Sequence, residues 1–206
     1  MIKCNLNVCG TITTSASVKT NNSGESFLSF PVKLSISARD GEKKELILSV
    51  TCSGNKSKAL EYSAGRRVKM CGVMYIRKKD DRVWYNFNAD KLEVVGSKEE
   101  DFIDGTMEFR GKVSKKGVAV RKDQKGNDYK TFSAFSSDKN GDKSEFIWVS
   151  FLYFNPKEKE DFLQANTYIQ CEGNLQLGIY KDEISIDCLV SQVGLWILDN
   201  KNNSSE

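Results

Sequence analysis

The chain has 206 residues, 39% of them hydrophobic and 29% charged, with a formal net charge of +3. That length suits one large domain or two of about a hundred residues each, and the composition excludes a disordered chain. No apolar stretch approaches the roughly twenty residues of a membrane span, Met1 to Asn5 lacks a signal-peptide core, and a cytoplasmic location is expected.

In chain order, Leu6 to Gly10 reads as a strand, and Ser23-Gly24 as a turn. Leu28 to Ile36 alternates with its even positions apolar, which predicts a half-buried strand. Asp40-Gly41 is a second turn, Glu45 to Cys52 a third strand, and Asn55 to Ser63 a helix-like segment. Strands over Val68 to Gly72 and Arg82 to Ala89 complete the set. The order then repeats. Met107 to Gly111 answers Leu6 to Gly10, Asn140-Gly141 is a turn, and Glu145 to Leu152 lines up with Glu45 to Cys52 at an offset of 100. Asn155 to Ala165 with Phe162 matches the first helix with Tyr62, and Asn155-Pro156 is a good helix start. Ile169 to Gly173 follows Val68 to Gly72 at an offset of 101, the slip being assigned to a loop.

Between the copies, Gly96 to Gly105 has glycine at both ends and acids within, which is linker composition. The expected organisation is a first domain over 1–96, a linker over 97–105, a second domain over 106–198 and a short polar tail over 199–206. Five strands with a helix between the third and fourth predict an all-β protein of two tandem OB-folds. These are partly open Greek-key barrels whose sheet face commonly binds oligonucleotides or oligosaccharides.

Histidine is absent and no CxxC pair occurs among Cys4, Cys9, Cys52, Cys71, Cys171 and Cys188, so no metal site, cofactor or catalytic centre is expected. The cysteines sit mostly in apolar runs, as small hydrophobes. A charge of +3 leaves local basic patches to be sought rather than a globally basic surface.

From Glu145 through Gly173 the chain resembles the bacterial single-stranded-DNA-binding protein family. A glutamate and an aromatic open the third strand, an aromatic follows sixteen residues on, and the next strand ends at glycine. The first copy shares the spacing from Glu45 to Tyr62. The resemblance implies binding of single strands by base stacking and by Lys and Arg on phosphates, in replication, recombination or repair. It also implies a homodimer supplying four barrels. It places base-stacking aromatics at Phe146 and Tyr180, with Leu152 at a further aromatic position, where the first copy is read as holding Leu46, Lys79 and Cys52. The family's acidic, phenylalanine-bearing C-terminal tip has no counterpart here, so recruitment of repair enzymes through it is not expected.

The alternation itself offers candidates. In Arg82 to Ala89 the core face is Val83, Tyr85, Phe87 and Ala89, which leaves Trp84 outward among polar neighbours, suited to stacking or to a dimer or interdomain contact. Phe135 alternates with core-facing Phe132 and Ala134. Strand Glu145 to Leu152 is apolar on both faces, so Phe146 and Trp148 fit either burial or binding. Phosphate-binding candidates are Arg77, Lys78, Arg110, Lys112, Arg121 and Lys122, with Lys79, Lys115 and Lys116 in the same basic clusters. No small-molecule substrate or membrane partner is expected, and the competing function is a protein-interaction or assembly module.

Overall fold

The computed structural model describes residues 1–38, 41–140, 143–154, 156 and 160–198. Asp40, Gly141, Asn155 and the tail 199–206 lie outside the described residues. No helix among those described is long and apolar enough to cross a membrane.

In the first half, β1 (Ile2–Ile12) pairs antiparallel with β5 (Arg67–Lys79) and, at its end, with β3 (Ser26–Ser37). Strand β3 pairs with β4 (Lys43–Ser53), β4 runs parallel to β6 (Arg82–Val95), and β6 returns to β5. The ring of five is closed. A short edge strand, β2 (Ser17–Thr20), hangs on β3. One helical turn, α1 (Lys56–Ala59), joins β4 to β5, and the Asn55 side chain caps it by accepting from the Lys58 N–H.

The second half repeats the ring with β7 (Phe102–Lys122), β8 (Asp128–Asn140), β9 (Lys143–Phe154), β10 (Tyr168–Tyr180) and β11 (Glu183–Leu195). Pairings β7–β8, β8–β9, β9–β11, β11–β10 and β10–β7 close it. Both halves are OB-folds, as the strand order predicts. Of the expected second helix, 155 and 157–159 lie outside the described residues, and 160–166 holds turns rather than helix. Glu160 pins that segment: it is buried, accepts from the Tyr153 hydroxyl at 2.6 Å and takes the Lys130 ammonium at 3.2 Å.

The halves join through β1 and β7, antiparallel from Ile2↔Phe109 to Cys9↔Phe102. Asn5 pairs with Thr106, its own repeat equivalent (106 − 5 = 101), so a local two-fold axis passes between them. This corrects the reading of 102–105 as linker, because those residues are strand. Gly105 is there for proximity rather than flexibility: at φ +141, a Cβ would lie 2.1 Å from the Asn5 carbonyl oxygen. Asp101, just before it, is anchored as well, accepting from the Ser35 N–H and pairing with Arg67 at 2.8 Å.

The offset of 100 along the third strand is also corrected. Gly72 and Gly173 sit at matching β-bulges, and the parallel pairs Val50↔Phe87 and Phe151↔Cys188 then align Val50 with Phe151, an offset of 101. The same offset relates Gly65 N–H to Ile12 carbonyl and Asn166 N–H to Val113 carbonyl, which aligns Tyr62 with Leu163 rather than with Phe162. One residue matters because side chains alternate faces with period two. Leu46 is buried at 1% exposure and corresponds to buried Ile147; the counterpart of Phe146 is Glu45, that of Trp148 is Ile47, and that of Leu152 is Thr51.

Candidate nucleic-acid interface

Alternation on β8 and β9 sends Phe132, Ala134, Ile147, Val149 and Phe151 into the core. Their neighbours must face out, which resolves the two-sided apolar run over 146–152: Phe146 and Trp148 are 46% and 55% exposed. Phe135 pairs across the strands with Trp148, and its ring centroid lies 5.1 Å from Trp148 and 5.2 Å from Phe146. The three rings form one cluster. Further along the same outer rows, Tyr129 stacks on Phe154 at 5.0 Å, with Thr131, Leu152, Ser133 and Ser150 between. From Tyr129 to Ser137 the ladder advances eight residues, about 26 Å at ~3.3 Å per residue.

Cations flank this ladder. Lys112 pairs across from Phe135 and sits 5.4 Å over the ring of Tyr168, which meets Trp196 edge-on at 5.9 Å. Arg121 pairs across from Tyr129. Between Val113 and Val118 the β7–β8 register shifts, and Ser114 to Gly117 leave the ladder with Lys115 and Lys116 exposed. Lys122 is occupied otherwise, ion-paired with Asp128 at 2.8 Å across its turn. Arg110 lines a separate concavity of about 290 Å³ that also holds Met1, Glu108 and Glu172.

The remaining candidates lie on two hairpins that cross between halves. Asp80 and Asp81, both left-handed, make the tip of β5–β6, and the Asp80 N–H donates to Glu145 Oε1 at 2.8 Å, next to Phe146. That hairpin carries Arg77 opposite Trp84, which is 45% exposed, and Lys78, which pairs with Asp81 at 3.4 Å. Reciprocally, the tip of β10–β11 reaches the first half, where Asp182 takes the Lys44 ammonium at 2.8 Å. Tyr180, 66% exposed with Lys181 5.4 Å from its ring centroid, belongs to that tip. The structure therefore brings Phe135, Phe146 and Trp148 together and places Tyr180 on a hairpin docked against the other half.

Several solved structures are similar to this chain. The wild-type single-stranded DNA binding protein from Thermus aquaticus is 11% identical with a TM-score of 0.48, covering 95% of this chain and 93% of that one. The small single-stranded DNA-binding protein from Streptomyces coelicolor, 11% identical with a TM-score of 0.38, matches 46% of this chain over 95% of its own. A Plasmodium falciparum protein solved in complex with single-stranded DNA is 17% identical with a TM-score of 0.34, over 44% of this chain and 92% of that one. No family model and no curated protein matches the sequence. The fold follows from the strand pairing above, and the site from this chain's own side chains.

Asp187 pairs in parallel with Ser150 on β9, and burial raises its carboxyl above the ordinary 3.8, eased by hydrogen bonds with Ser185 and Ser150. Burial pushes the Cys4 and Cys188 thiols up to about 12, which leaves them protonated and unreactive. Sequence reasoning missed Tyr129, Phe154, Tyr168 and Trp196. The alternation carried the signal for Tyr129 and Phe154, since each lies an odd number of residues from a core position on its own strand, whereas Tyr168 and Trp196 meet only through the β10–β11 pairing.

Proposed function

We propose that this chain binds single-stranded DNA without catalysis, stacking bases on the outer face of β8 and β9 and holding phosphates with the flanking lysines and arginines. The observation that carries this is the contiguous cluster of half-buried Phe135 with exposed Phe146 and Trp148, beside Lys112, Lys115 and Lys116. Exposed aromatics in a cationic setting suit single strands, because every base offers a π-face and each stack contributes about 1–3 kcal/mol. A duplex hides those faces. Fluorescence titration with an unstructured oligonucleotide tests this: quenching of the Trp84 and Trp148 emission, tight binding and strong salt dependence are expected, and equal affinity for a duplex of the same length would refute it.

In this reading the protein coats single strands in the cytoplasm, in replication, recombination or repair, with little dependence on sequence over most of the ladder. It works as a homodimer, two chains supplying four barrels; light scattering that finds 23.2 kDa with and without DNA would refute that part.

A further inference from the structure

The bulge in β7 creates a pocket that stacking alone does not use. Ser114 to Gly117 leave the β7–β8 ladder, and Ser114, Lys115 and Lys116 wall, with Asn166, a cavity of about 590 Å³ whose aromatic surfaces are Phe135 and Trp148. Lys115 and Lys116 stand at its rim and Ser133 lines it as well. Asn166 is held there by its backbone: its N–H donates to the Val113 carbonyl, and its φ of +64 is the left-handed conformation that asparagine tolerates. Its carboxamide is exposed, and no described residue takes it up by a hydrogen bond. The equivalent position in the first half is Gly65, φ +84, which has no side chain to offer.

Resting on the DNA-binding reading, we propose that this cavity is a nucleobase pocket, in which one base lies against Trp148 and Phe135 while the Asn166 carboxamide reads its edge. The chemistry fits one base of a chain rather than a free apolar ligand. Aromatic surfaces provide a stacking floor, a free amide provides both a donor and an acceptor, and two ammonium groups at the rim suit the flanking phosphates. A carboxamide cannot satisfy all bases equally, because their edges differ in donors and acceptors. The pocket therefore gives an otherwise tolerant surface a base preference at one position of the bound strand.

The test compares dA, dC and dT homopolymers on the full chain and on Asn166→Gly, which installs the first half's own residue and keeps the left-handed backbone unstrained. The intact chain is expected to separate its best from its worst homopolymer by roughly 5-fold or more, and Asn166→Gly to bring them within about 2-fold. Asn166→Asp, which keeps the shape but loses the amide donor, should reorder the three rather than level them. Ratios unchanged in both variants would overturn the pocket while leaving DNA binding intact. No binding to any homopolymer would instead overturn the function proposed above, and the pocket with it.

Discussion

The two halves share one fold and present opposite surfaces on it. Where the second half places Phe135, Phe146 and Trp148, the first places Lys33, Glu45 and Ile47, and Lys33 pairs with Glu45 at 2.6 Å. A salt bridge and an isoleucine offer no stacking platform. The exchange continues at the barrel rim: Arg67 donates to Thr11 in the first half, while at the equivalent positions Lys112 lies over Tyr168 in the second. Core positions had to keep their character to fill two similar barrels, but outward positions were free to diverge, and the duplicated half became a different surface on an unchanged scaffold. The crossing hairpins temper this division, since Tyr180 is carried to the first half and Arg77 and Trp84 stand on the hairpin that docks beside Phe146.

The most severe way to break the comparison is to remove the second half's rings. Phe146→Ala with Trp148→Ala should weaken oligonucleotide binding by about 2–6 kcal/mol, two stacks at the usual magnitude, with the salt slope nearly unchanged. Ile47→Ala in the first half should change binding little, and if it costs as much as the ring pair, the asymmetry is wrong. Phe146→Ala with Tyr180→Ala should be additive, because the two residues lie on separate docking surfaces.

The reverse experiment transplants the site. Lys33→Phe with Glu45→Phe and Ile47→Trp replaces an exposed ion pair, weakened by solvent screening, by three rings. Affinity should rise by about 1–3 kcal/mol for each ring that finds a base, read in the same titration. A folded variant with unchanged affinity would show that the lysines of the bulge, whose places in the first half are held by Thr14 and Ser15, are as necessary as the rings.

Smaller effects separate the cations. Arg77→Ala should reduce the slope of log affinity against log salt by about 0.7, one single-strand phosphate contact. Lys78→Ala should do less, because Lys78 is already paired with Asp81. Equal changes for the two would show that DNA displaces that pair.

The smallest expected change concerns acidity. Asp187 has its carboxyl raised in the folded protein, so its contribution to stability is fully present below the ordinary 3.8 and is lost as pH rises through the raised value. Phosphate nearby penalises the ionised form further, and affinity should fall slightly over the same window. Asp187→Asn, which places there the counterpart of Asn86 in the first half, should flatten both dependences; unchanged pH profiles would place the carboxylate outside the bound strand's field.

Sequence by itself determined the duplication, the strand order and the outward direction of Trp84, because alternating burial is written locally with period two and repeats twice over. It also supplied Phe135, Phe146, Trp148, Lys112 and Arg121 as candidates. Tertiary structure alone decided the true register of the third strand, since a 100-residue and a 101-residue offset both align apolar letters while only hydrogen-bonded pairing fixes which of them face water. Gly105, read as a flexible linker residue, proved to be the point where two backbones touch. The clustering of Phe135 with Trp148, the bulge that lifts Lys115 and Lys116 beside them, and the carriage of Tyr180 to the opposite half all join residues distant along the chain. Local pattern sets which way a side chain points; only barrel closure and the β1–β7 junction set what it points beside.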